Sequence, residues 1–143
     1  MKPEETVDYN VKVCWHAISR MYNTSAVQHG ITTSIGFVLL NINPEEGTPA
    51  TKIAPLLGLE SRSLTRILKS LEEAGFIYRE ADKQDKRSVR VFLTEAGLEK
   101  KEIARQTVKQ FNKRVQEQIP PDQLQTFFKV ISQINRIIEN KEI

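Results

Sequence analysis

Cysteine and histidine are nearly absent: Cys14, His16 and His29 are the only ones in 143 residues. A single cysteine excludes an intrachain disulfide and any cysteine-cluster metal site, and it fits a reducing compartment. No nucleophile–base arrangement, phosphate-cradling glycine loop or metal-ligand spacing accompanies the two histidines. No apolar run approaches the roughly 18 residues of a membrane helix. The opening MKPEETVDYN has no apolar stretch of the kind found in secretion signals. Repeats and low-complexity segments are missing as well. The expectation is a cytoplasmic protein that is not an enzyme and has no cofactor, metal or membrane partner.

What the chain does have is an ordinary globular balance, 39% apolar and 27% charged residues, in about one domain's length. That is enough to build a core without disulfides or a structural metal. The net charge of +3 is mild, so its distribution carries more information than its size.

Val7, Val11, Cys14, Trp15, Ile18, Met21 and Tyr22 recur at helical spacing and predict an amphipathic helix from about Glu4 to about Gln28, stopped by Gly30. Thr32, Thr33 and Ser34 are N-cap candidates for a second helix. Its Ile35, Phe37, Val38, Leu39, Leu40 and Ile42 are apolar nearly all round and predict deep burial. Asn43-Pro44-Glu45-Glu46-Gly47 is a turn. Thr48-Pro49 reads as an N-cap with proline at the first helical position. A short third helix follows, with Ile53, Ala54, Leu56 and Leu57, and Gly58 ends it. Another starts at Glu60 or Ser61, with Leu64, Ile67, Leu68, Leu71 and Ala74 as its stripe. Residues 77–81 and 88–93 read as two strands around a charged tip without glycine, expected to be mobile. Thr94 caps a long helix lined by Ala104, Val108, Phe111, Val115 and Ile119. Pro120-Pro121 breaks it, and Asp122 begins a last helix with the stripe Leu124, Phe127, Phe128, Ile131, Ile134, Ile137 and Ile138.

Two helices joined by a very short turn over Thr48–Gly75 have helix-turn-helix geometry. The start of the second helix would then lie in a DNA major groove. Ser61, Arg62, Ser63, Thr65, Arg66 and Lys69 can donate hydrogen bonds to phosphates and base edges, and no acidic residue interrupts Arg62 to Lys69. A hairpin after a helix-turn-helix makes a winged helix. Val89, Val91 and Leu93 would hold the hairpin on the core. Arg87 at its tip could reach a narrow minor groove, with Lys86 and Arg90 near phosphates and Asp85 orienting a neighbouring arginine. The fold class is therefore mainly α with a small β-hairpin wing. A single domain spans 1–143, with residues 31–94 as winged-helix core and helices in 1–30 and 95–143 flanking it.

Asp85–Gly97, DKRSVRVFLTEAG, resembles the wing pattern of the MarR family of bacterial transcriptional regulators: Asp, any residue, Arg, then hydrophobic alternation to Leu-Thr and a following Gly. Leu56–Arg79, LLGLESRSLTRILKSLEEAGFIYR, resembles the family's recognition-helix segment. The resemblance implies a homodimer paired through its N- and C-terminal helices and bound to a palindromic DNA operator, usually as a repressor. It also implies release by a small phenolic or lipophilic effector. By position, Ser61, Arg62, Ser63, Thr65 and Arg66 match recognition-helix residues, and Arg87 matches the wing arginine. The apolar stripes of the first and last two helices suit a dimer independently, the alternative being a monomer that packs them on itself. An effector pocket, implied by the resemblance alone, would draw on Trp15, His16, Arg20, Tyr22 and Phe37. Some family members sense peroxide through a first-helix cysteine, and Cys14 stands in about that place. The tyrosines that accompany such a thiol are replaced here by Ile18 and Gln28, and the apolar stripe alternatively makes Cys14 an inert core residue. A winged helix serving as a protein-interaction module is the rival of another class, opposed by the cluster of arginines and lysines.

Overall fold

The computed structural model describes all residues, 1–143. It divides into two compact units, residues 1–107 and 108–143. The first contains α1 (Val7–Gln28), α2 (Thr33–Leu40), β1 (Thr48–Pro49), α3 (Ala50–Leu57), α4 (Ser61–Glu73), β2 (Ile77–Ala81), β3 (Val89–Leu93) and the first half of α5 (Glu95–Gln118). The second contains the rest of α5 and all of α6 (Pro121–Glu139).

The core of the first unit gathers where α2, α3, α4 and the sheet meet. Val38, Leu39, Ile42, Ile53, Leu71 and Val91 are its largest fully enclosed side chains. The expectation for α2 holds: an apolar segment becomes a buried helix, capped by the Thr32 hydroxyl accepting from the Ile35 amide at 3.2 Å. Helix α4 is amphipathic in the ordinary sense, with Leu64, Leu68 and Leu71 inward and Arg62, Thr65, Arg66 and Lys69 outward. Between α3 and α4 the chain turns within Gly58-Leu59-Glu60. Gly58 sits at φ 63°, a left-handed helix cap that costs glycine little.

Thr48-Pro49 departs from expectation. It is not the start of a helix but a short edge strand, pairing Thr48 with Val91 and Pro49 with Arg90. Proline is tolerated there because an edge strand leaves one row of backbone groups unpaired. The sheet therefore has three antiparallel strands in the order β1-β3-β2. Val91 is fully buried and Leu93 packs on the core, but Val89 is exposed, so the hairpin is held down at its base and not along its length. On the outer face Tyr78 and Phe92 stack at 5.2 Å between ring centres.

The tip, expected to be mobile, takes its turns from two aspartates. Asp82 is buried, and its carboxylate accepts from the Gln84 amide at 2.9 Å. The Asp85 carboxylate accepts from the Arg87 amide at 3.1 Å, and the Ser88 amide donates back to the Asp85 carbonyl at 2.9 Å. Aspartates that bond their own backbone two residues on replace glycine as turn formers.

The stripes of the outer helices are largely uncovered. On α1, Val7, Val11 and Trp15 are about half exposed, as are Phe127, Phe128 and Ile138 on α6. Cys14 is exposed too, which corrects its reading as a core residue.

Candidate nucleic-acid interface

Helix α4 supplies a face with a clear division of labour. Its leucines hold it to the core, which leaves Ser61, Arg62, Thr65, Arg66 and Lys69 exposed and Ser63 half-buried. Thr65 donates its hydroxyl to the Ser61 carbonyl at 2.9 Å, so its oxygen also remains available as an acceptor. The acidic residue nearest the far end of this face, Glu72, is engaged. Arg79 of β2 grips it with two hydrogen bonds, at 3.0 and 3.1 Å. That grip holds the Glu72 carboxyl below its ordinary range and the Arg79 guanidinium above its own. The pair ties β2 to α4 and offsets the negative charge at that end of the helix.

The wing carries the second basic group. The Arg87 side chain is 93% exposed, and its Nε lies 3.5 Å from an Asp85 oxygen, in line with the orienting role expected of Asp85. Lys86 is exposed beside it. Arg90 is placed differently. It is half-buried, with one guanidinium N–H donated to the Gly47 carbonyl at 3.4 Å, so at least part of it braces the edge of the sheet.

Among the residues expected near an effector, three come together. Trp15 stacks on Phe37 at 5.9 Å, and Tyr22 meets the same Phe37 ring edge-on at 5.9 Å. Tyr22 is buried, and burial pushes its hydroxyl above the usual phenol range. His16 and Arg20 are exposed on α1 and have no part in this cluster. No group of three or more histidine, cysteine, aspartate or glutamate side chains is placed to hold a metal ion, and no helix is long and apolar enough to cross a membrane.

Three structural roles went unread in the sequence. Lys101 donates to the carbonyls of Leu39, Leu40 and Ile42 at 3.3, 2.9 and 2.8 Å. Burial pulls its ammonium below the ordinary lysine range. Gly97 presses on the backbone of Phe76 so closely that an added Cβ would stand 1.9 Å from its carbonyl oxygen. Arg79 gave no local sign of its bond to Glu72, though a basic residue in a strand shortly after an acidic helix end is a signal worth testing.

Comparison with known proteins agrees with this geometry. The chain is 39% identical to the HTH-type transcriptional regulator TtmR of Methylorubrum extorquens (strain PA1) over 82 residues, which is 57% of this chain and 42% of that protein. It is 30% identical to the HTH-type transcriptional regulator SarZ of Staphylococcus aureus (strain USA300) over 96 residues, 66% of this chain and 65% of that one. The chain thus spans less than two thirds of the length of either relative. Among solved structures, the S. aureus MepR–DNA complex is similar at a TM-score of 0.83 and 20% identity, covering 92% of this chain and 97% of MepR. CouR from Rhodococcus jostii RHA1 bound to p-coumaroyl-CoA is similar at 0.80 and 19%, covering 94% of each chain. At such identities the likeness is one of fold: mainly helical, with a small antiparallel wing. The MarR family model matches residues 31–89, from just before α2 to the first residue of β3, so this stretch, with the helix-turn-helix in it, is similar to the MarR family.

Proposed function

We propose that this protein is a DNA-binding transcriptional regulator, a ligand-responsive repressor that binds a palindromic operator as a homodimer. Helix α4 enters the major groove, and the wing places Arg87 in the flanking minor groove. The observation that carries this reading is the joint exposure of Arg62, Arg66 and Lys69 on a helix whose other face is sealed into the core, together with the exposed Arg87 on a hydrogen-bonded tip. Cations held out by a packed scaffold suit a polyanion. The regulators TtmR and SarZ, and MepR in its complex with DNA, support it by kinship and by fold.

The homodimer is supported by the uncovered apolar faces of α1 and of α6, since exposed apolar surface of this kind marks association. A two-fold dimer would read half-sites about 34 Å apart. A small phenolic or lipophilic effector is supported by the Trp15–Phe37–Tyr22 cluster and by the p-coumaroyl-CoA bound to CouR.

The test is fluorescence anisotropy on duplex from the upstream intergenic region, beside scrambled duplex, across a salt series. Tight, sequence-selective binding that falls steeply with salt is the expected result. Weak binding, equal on both duplexes and on the whole neighbouring locus, would favour a protein-interaction module instead. Sedimentation of the same sample should give twice the mass of the chain.

A further inference from the structure

The start of α5 reaches the ends of two other helices and the residue two past the end of a third. The Thr94 hydroxyl donates to the Gly75 carbonyl, just past α4, at 2.6 Å. The Lys100 ammonium donates to the His29 carbonyl, at the end of α1, at 2.6 Å. Lys101 takes the carbonyls at the end of α2. The last carbonyls of a helix have no partner within it and carry the negative end of its dipole. Two adjacent ammonium groups therefore cap two helices from a third.

Lys101 also stands at the head of a hydrogen-bonded path to the wing. Its last acceptor is Ile42. The next residue, Asn43, donates its amide to the Thr48 hydroxyl at 2.8 Å, and its side-chain oxygen accepts from the Glu45 and Glu46 amides at 2.8 and 3.0 Å. The Gly47 amide closes the turn on the Asn43 carbonyl at 3.0 Å. Thr48 and Pro49 then pair with β3, and Gly47 receives Arg90. The segment that Lys101 anchors is thus the edge strand of the sheet that carries Arg87.

We propose that Lys100 and Lys101 form a coupling clamp: they tie the ends of α1 and α2 to α5, and through residues 42–49 Lys101 positions the wing on DNA. Lys101 is a positioning residue, with no contact to DNA of its own.

The affinity test rests on the DNA-binding reading, so it is paired with one that does not. Operator affinity is measured for Lys101→Met, Arg87→Ala and the double variant. Lys101→Met should weaken binding about 2–30-fold, and much less when Arg87 is already gone, because both act through the wing. Lys101→Arg, which keeps the cation and its donors, should recover most of the loss. Wild-type affinity in Lys101→Met, or an equal loss in both backgrounds, would overturn the clamp. Should Lys101→Met not fold, Lys101→Gln carries the same readings. If the wild-type protein binds no duplex, the DNA reading fails by itself, and amide exchange decides the clamp. The Asn43 and Gly47 amides should lose protection in the variant while Leu68 in α4 keeps its own. Unchanged protection at Asn43 and Gly47 would overturn it.

Discussion

Gly97→Ala and Gly36→Ala form a pair that tests the packing of α5 against the wing base. Both glycines are buried and both lie inside helices, where alanine is intrinsically better by up to about 1 kcal/mol. Their surroundings differ. A Cβ on Gly36 would meet the Ala104 Cβ at 3.7 Å, an ordinary contact. A Cβ on Gly97 would stand 1.9 Å from the Phe76 carbonyl oxygen and 2.9 Å from its carbon. The obstacle is backbone, so no rotamer change relieves it, and α5 must retreat by about 1 Å. Overpacking of this kind costs about 1–3 kcal/mol, with the upper end expected here. Net of the propensity gain, Gly97→Ala should lose about 1–2 kcal/mol, a fall in melting temperature of about 3–8 °C for a chain of this size. Gly36→Ala should be neutral or gain up to about 1 kcal/mol. The assay is urea unfolding at fixed protein concentration, since any association shifts the midpoint. A Gly97→Ala variant as stable as wild type would refute the close approach. An equal loss in both variants would assign the effect to general crowding in helices and not to the Phe76 carbonyl.

Other outcomes follow from the charged groups. Arg66→Ala should cost about 1–3 kcal/mol of operator affinity if the side chain makes a bidentate base contact. Arg87→Ala should weaken binding most at A·T-rich flanks. Neither should move the melting temperature much, both side chains being exposed, and operator binding like wild type by both variants would refute the docking mode. The Glu72 carboxyl is held below its ordinary value of 4.5 in the folded chain, so its contribution is present above that pH and is lost as the pH falls through the lower folded value. Urea unfolding of wild type and Glu72→Gln down to pH 3 should show that loss only in wild type, and parallel curves would refute it. Alkylation of Cys14 in the native protein should leave DNA release by peroxide unchanged. Abolished release would establish the thiol as the sensor.

The helices were legible because each signals its buried face locally. The stripe of Leu64, Leu68 and Leu71, the Thr32 and Thr94 caps and the Gly58 stop all act within a turn of themselves. Thr48-Pro49 was misread because its partner, Val91, lies far along the chain, and a threonine before proline looks the same at a helix start and at a sheet edge. How the tip turns went unread, because Asp82 and Asp85, in place of glycine, form the turns through their side chains. Lys101 was invisible for a related reason: backbone carbonyls carry no residue identity, so a side chain that caps a remote helix leaves no pattern. The stripes of α1 and α6 were read correctly as apolar, yet nothing in them says which surface covers them.

The aspartates of the wing have a consequence for how charge and affinity relate. A tip of glycines would be free in solution, and binding would have to freeze it. Here the Arg87 amide is hydrogen-bonded to Asp85, which should leave less motion to lose on contact. Replacing Asp85 with alanine raises the net charge of the protein above +3. On the docking proposed above, it should speed non-specific encounter with any duplex, while releasing the arginine proposed to enter the minor groove. On that docking the more basic protein would be the poorer reader, because the wing arginine is positioned by a negative charge.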